Sequence, residues 1–225
     1  MKKTFVVLAA VSLFFAQADA QYYYDRSKNP DKKIIEKTGR DFDTFYFLSW
    51  DNNTPLSNTN FVSSTSYLGT KLGFRKRLND VDRLWAGADF GWGVYKEYFP
   101  FNTYTFGSRS LSTDLYDYVY SYNLSASIDY FIFPMEKHVT PYGGLNIGAA
   151  YDKFAQYYNV YGGASGSWGV LIRPEIGVLI GIKENASWRI KAAFHYDYSS
   201  NSNSDFGYKN FTNIGFQIGL VKMAW

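Results

Sequence analysis

The chemistry open to this 225-residue chain starts with two histidines, because cysteine is absent and no other side chain titrates near neutrality unless its surroundings perturb it. His138 stands in a turn-like stretch after Pro134, whereas His195 shortly precedes Ser199 and Ser200. A histidine that activates a serine is the minimum for acyl transfer. At strand spacing, however, His195 shares a face with Lys191 and Asp197, so the plainer reading is an imidazole hydrogen-bonded to charged neighbours. A larger set of charges follows the same spacing. Lys71, Arg75, Arg173, Arg189 and Lys191 fall on the polar phase of successive alternating stretches, together with Asp89, Asp129, Asp152, Glu175 and Asp197. Matched numbers of bases and acids suit a paired interior network, since an unpaired charge in a confined space costs several kcal/mol. No metal or cofactor is predicted. No cysteine–histidine cluster suits zinc, the loop acids are too dispersed for calcium, and no glycine-rich turn joins a strand to a helix as a phosphate site requires.

Eight strand candidates carry these residues: Asp43–Trp50, Ser66–Lys76, Leu84–Tyr95, Tyr118–Phe133, Val139–Asp152, Trp168–Ile182, Trp188–Tyr198 and Phe211–Trp225. In the fourth, Tyr120, Tyr122, Leu124, Ala126, Ile128 and Tyr130 alternate with Ser121, Asn123, Ser125, Ser127 and Asp129, the period-2 pattern of a strand between two environments. Long connections are expected over 51–60, 96–117, 153–167 and 199–210, with short ones over 77–83, 134–138 and 183–187. The 162–166 run GGASG reads as flexible loop, and the aromatic stretches 98–106 and 157–161 as candidate contacts for a glycan or protein. Long and short connections in alternation predict an up-and-down meander, with all long loops at one end. Pro174 removes a ladder donor from the sixth strand, so a bulge is expected there.

Alternation alone leaves open whether the apolar face points outward, to lipid, or inward, to a soluble barrel's ligand. Glycines favour the outward, lipid-facing reading. Gly69, Gly73, Gly87, Gly91, Gly93, Gly177, Gly181, Gly215 and Gly219 lie on the polar face, where a narrow eight-strand interior needs small residues. Aromatic residues make up 20% of the chain, with 21 Tyr and 19 Phe, and mean hydropathy is −0.28. Trp92, Tyr118, Tyr120, Tyr130, Trp168, Trp188, Tyr196 and Tyr198 fall near the ends of apolar rows, as an interfacial girdle would. A net charge of +3 gives no nucleic-acid signature.

At the amino terminus, Lys2 and Lys3 precede an apolar run, and Ala18-Asp19-Ala20 follows it. Residues 1–20 therefore read as a cleaved export signal and 21–42 as a periplasmic lead with a possible short helix, leaving 43–225 for the barrel. No later run approaches the roughly 18 apolar residues of a spanning helix.

With this signal, the strand series from Asp43, the phrases GTKLGF (Gly69–Phe74) and PYGGLNIG (Pro141–Gly148), and the terminal GFQIGLVKMAW, the chain resembles the OmpA/OmpX-like family of small outer-membrane barrels, in its Bacteroidetes-type form. The resemblance implies an all-β, eight-stranded antiparallel transmembrane barrel in the cell outer membrane. It also implies both chain ends in the periplasm, contact with outer-membrane lipid, and assembly through periplasmic chaperones and the insertion machinery, which reads the last strand at Phe216 and Trp225. No domain follows the barrel, so peptidoglycan tethering is not supported. The expected role is non-enzymatic, structural or adhesive, through four long extracellular loops that engage an extracellular protein or glycan. Alternatives are a passive channel for small solutes, a lipid A acyl-modifying enzyme working through His195, and a soluble periplasmic ligand-binding barrel.

Overall fold

The computed structural model describes residues 42–78, 83–107, 109–158, 161–184 and 186–224. The expected export signal, all of the expected lead except Phe42, and Trp225 lie outside the described residues. Eight strands follow in order: β1 Thr44–Pro55, β2 Leu68–Arg77, β3 Leu84–Phe106, β4 Arg109–Phe131, β5 Val139–Tyr158, β6 Tyr161–Gly181, β7 Trp188–Ser199 and β8 Phe211–Ala224. Each pairs antiparallel with the next, and β8 returns to β1 from Thr44↔Ala224 to Pro55↔Asn213. Closure pairs the edge strands that an open sheet would expose.

The expected loop at 96–117 is instead the continuation of β3 and β4, paired as far as Phe106↔Arg109, with a turn at Gly107 in the left-handed region. The loop expected at 153–167 is likewise strand, paired as far as Tyr158↔Tyr161, so GGASG belongs to β6. Both extensions are rich in Tyr, Thr, Ser and Gly, and their buried apolar side chains, Leu115, Phe154 and Ala155, are too few to make a continuous face. The extensions are held by ladder hydrogen bonds and cross-strand pairs such as Tyr98–Tyr116, whose rings lie 4.9 Å apart. Two irregular connections remain at the long-loop end, 56–67 and 200–210.

Proline positions also differ from expectation. Across Pro174 the β6–β7 register is unchanged between Ile172↔Tyr198 and Glu175↔His195, and Leu145↔Pro174 stays paired on the other side. The missing donor is absorbed by a local gap in one ladder, with the ring facing outward. The register shift falls between Phe99 and Asn102, around Pro100.

Leu68, Leu72, Phe90, Leu124, Ile128, Ile147, Val170, Ile176, Phe194 and Leu220 are all exposed on the barrel exterior. The apolar row therefore faces outward, and the soluble-barrel alternative fails. Inside, the layers are not uniformly polar. At the tight-turn end Phe42, Phe45, Phe47, Trp85, Phe131, Tyr142, Leu179, Val221 and Met223 pack together, with Phe45 and Trp85 ring centroids 5.3 Å apart. At the long-loop end Phe61, Val62, Tyr95, Val119, Phe154, Tyr208 and Phe211 form a second layer, with Phe154 and Tyr208 centroids 4.7 Å apart. Charged side chains occupy the interior between them.

Candidate functional site: a charged interior beneath an aromatic cup

Glu175 on β6 is the hub of the interior. Its carboxylate meets Lys191 Nζ at 2.8 Å and Lys71 Nζ at 2.9 Å, and accepts hydrogen bonds from Tyr142 and Gln217, each at 2.5 Å. Lys71 also reaches Asp89 at 3.1 Å, and Arg75 joins Asp89 to Asp129, the latter at 2.6 Å. These three bases and three acids form one neutral cluster. A second cluster lies beside it. Arg173 grips Asp197 through two nitrogens at 2.5 Å, Asp197 meets His195 Nδ1 at 2.9 Å, and His195 Nε2 meets Asp51 at 2.8 Å. Carboxylates only accept, so both imidazole nitrogens donate and the protonated ring balances the second acid. The glycine face makes room for this: a Cβ at Gly215 would collide with the His195 ring, and one at Gly73 with Asp89 and Phe47. Lys191 Nζ rests 4.0 Å from the Phe47 ring centroid, so the charged layer sits directly on the aromatic one.

Two residues expected in the network lie apart from it. Arg189 is buried, but it donates to the carbonyls of Met135 and Lys137 and to the Thr140 hydroxyl, tying down the 134–138 turn. Asp152 is buried beside Ser121 and Ser199 and forms no ion pair with a described residue. Asp51 falls in the expected connection at 51–60, but β1 runs on to Pro55 and carries it inward. Continuing the Phe45, Phe47, Ser49 phase by one step would have found it.

His195 engages neither serine. The Ser199 hydroxyl donates to Asn201 Oδ1, and the Ser200 hydroxyl accepts from the Val170 amide at 2.8 Å. With both ring nitrogens held by carboxylates, the histidine has no free base to offer. Among the described residues, no group of three or more histidines or acids is arranged to hold a metal.

The eight girdle candidates, Trp92, Tyr118, Tyr120, Tyr130, Trp168, Trp188, Tyr196 and Tyr198, all point outward and are exposed or half-buried. Tyr118 stacks on Tyr120, and Lys222 lies over the Trp188 ring at 5.0 Å. Phe216 is half-buried on the exterior, against Phe194.

Above the upper aromatic layer, the β3–β4 hairpin, β5 and the two irregular connections enclose an open cup of about 770 Å³. Its rings come from Phe61, Phe99, Phe101, Tyr104, Phe206 and Tyr208. Asp117, Gln156 and Tyr158 form a polar strip across it: Gln156 Nε2 donates to Asp117 Oδ2, and Tyr158 donates to Gln156 Oε1, each at 3.3 Å. The other oxygen of the buried Asp117 carboxyl has no hydrogen-bond partner. Burial pushes this carboxyl up to about 6 against the opposing hydrogen bond from Gln156, with a smaller upward contribution from the negative charge of Glu97. Glu97 itself is an anchor. Despite partial burial, it is held below its ordinary value by hydrogen bonds of 2.8–3.1 Å from the amides and hydroxyls of Ser63 and Ser64, which fasten the 56–67 connection to β3.

A closed antiparallel barrel of eight strands, apolar outside and filled with paired polar groups inside, is a transmembrane barrel of the outer-membrane class. The chain is similar in structure to Neisserial surface protein A (NspA), with 17% identity and a TM-score of 0.53, covering 81% of this chain and 97% of that one. Ail, the attachment invasion locus protein of Yersinia pestis, shares 12% identity over 80% of this chain and 96% of its own, with a TM-score of 0.46. OprG from Pseudomonas aeruginosa shares 12% identity over 82% and 97%, with a TM-score of 0.44. At such identities the likeness is one of fold. No protein-family model matches the sequence, nor does any curated protein.

Proposed function

We propose that this outer-membrane barrel is non-enzymatic and binds an extracellular protein or glycan at its long-loop end, with that end facing outward. The observation that carries the reading is the division of the interior: two aromatic layers close over neutralised charges and leave an open, aromatic-lined cup above. A filled interior gives solutes no path, and the cup offers ring faces and hydrogen-bonding groups to a ligand. Intact-cell proteolysis tests the orientation, with cleavage expected within 57–66 and 200–210 and protection of 134–138. Expressing cells should adhere to a glycan- or matrix-coated surface, and shortening 57–66 should abolish the gain. Planar-bilayer recordings should show no steady conductance; a stable unit conductance would favour the solute-channel alternative. His195→Ala should leave lipid A acylation unchanged.

The girdle residues would anchor the barrel at the two interfaces, and Phe216 with Trp225 would supply the insertion signal read by the assembly machinery and delivered by periplasmic chaperones. Removing Trp225 should lower outer-membrane levels more than it alters ligand binding. Normal levels of the truncated chain would overturn that assignment.

A further inference from the structure

We propose that the cup at the long-loop end binds an organic cation, an alkylated or primary ammonium group seated against aromatic rings with Asp117 as its counter-charge. The inference rests on the surface-binding reading and specifies its ligand chemistry. Three observations converge. Among the described residues the cup's lining contains two carboxylates, Asp117 in the floor and Asp205 at the rim, and no lysine, arginine or histidine. A ligand rich in sulfate or phosphate would therefore meet only repulsion. Asp117 is 2% exposed and has one oxygen without a partner, an arrangement that costs stability unless something cationic completes it. Tyr104, Tyr158 and Tyr208 lie near enough to feel the charge of this carboxylate, Phe61 and Phe206 line the same cup, and aromatic faces favour a cation over a neutral group of the same shape. A metal ion fits poorly, because ring faces supply no ligand atoms and no three metal-holding side chains cluster among the described residues.

Among the described residues, the surroundings of Asp117 contain no competing cation. Glu97 pairs across from it on β3, Tyr104 approaches from the same hairpin, Gln156 and Tyr158 from β5, Tyr208 from the 200–210 connection, and Asp114 lies on its own strand. Lys96, the nearest base along β3, lies over the rings of Tyr116 and Tyr118. The counter-charge is therefore available to a ligand, and only while Asp117 is ionised. Affinity for a cation should fall as pH drops through about 6.

The test uses the full mature chain in phosphatidylglycerol nanodiscs, where neither lipid nor detergent carries an ammonium group. Choline and its uncharged isostere 3,3-dimethylbutan-1-ol are titrated separately and followed by saturation-transfer NMR, with empty discs as the blank. Saturable choline binding is expected, with the isostere weaker by about tenfold or more. Asp117→Asn should lower choline affinity by a similar factor and abolish its pH dependence. Tyr104→Leu, which keeps the bulk but removes the ring, should weaken it several-fold. Equal binding of the isostere, undiminished affinity in folded Asp117→Asn, or no saturable choline binding would each overturn the proposal. If Asp117→Asn does not give a heat-modifiable barrel, the isostere comparison and Tyr104→Leu decide. Should choline fail to bind while shortening 57–66 still abolishes adhesion, the cation assignment falls and the surface-binding reading stands.

Discussion

Two buried aspartates show how differently the two ends of this interior are built. Asp89 sits between Lys71 and Arg75 in a cluster whose charges cancel, whereas Asp117, equally hidden, meets one neutral amide and faces Glu97. Burying a charge is costly in both places, and only the first offsets the cost with countercharges. The first arrangement holds a fold. The second keeps a carboxylate poised at the floor of an open cup, at the expense of local stability.

That contrast breaks most forcefully at Glu175. Glu175→Ala strands Lys191 in the interior, leaves Lys71 with Asp89 alone, and should cost about 3–5 kcal/mol in urea unfolding of the detergent-folded barrel. Adding Lys71→Met and Lys191→Met should recover much of it, and a loss below about 1 kcal/mol from Glu175→Ala alone would mean that pairing does not hold the interior together. Phe154→Ala empties the centre of the upper aromatic layer and should cost about 3 kcal/mol by the same measurement, with added leak in bilayer recordings.

Glu97→Gln should act locally, on the order of 1 kcal/mol, and appear as faster proteolysis within 57–66 while the barrel stays folded. The wild-type clamp should weaken by the same route in acid. Because the folded Glu97 carboxyl lies below its ordinary value, its stabilisation is present above that ordinary value and is lost as pH falls through the folded one. Unchanged 57–66 proteolysis down to about pH 3 would remove the clamp from this account.

The smallest effect sharpens the comparison most. The folded Asp117 carboxyl is raised, so its ionised form opposes folding in full above about pH 6; the penalty shrinks as pH falls from about 6 and is gone only below the ordinary carboxylate value of about 4. Asp117→Asn should therefore be slightly stabilising at pH 8, with a smaller difference from wild type at about pH 5 and none near about pH 3.5. A clear loss of stability at pH 8 would make Asp117 a structural residue like Asp89.

Much of this architecture was legible in the chain. The even spacing of Leu124, Ala126 and Ile128 against Ser125, Ser127 and Asp129 is a local consequence of strand geometry, and so is the placing of Lys71, Arg75, Asp89, Asp129, Arg173, Glu175, Lys191 and Asp197 on one phase. Glycines on that phase pointed to which side was inner, because a narrow interior leaves little room for Cβ atoms. The alternation of short and long connections predicted the meander. The extended hairpins escaped the same reading: their buried apolar residues, Leu115, Phe154 and Ala155, are too sparse for an apolar periodicity to mark 96–117 or 153–167 as strand, and their ladders become visible only in pairs.

What tertiary structure alone decided is partnership. Periodicity says that Arg189 and Arg173 face inward, but strand register determines that Arg173 reaches Asp197 while Arg189 turns to the carbonyls of Met135 and Lys137. It also determines that His195 lies between Asp51 and Asp197, with no serine on either nitrogen. The cup brings Phe61, Tyr104, Asp117, Gln156 and Phe206 together from segments far apart in the chain, and no local pattern encodes that meeting. Alternation is fixed by neighbouring backbone dihedrals, whereas contacts across a closed barrel depend on the tilt and register of all eight strands at once.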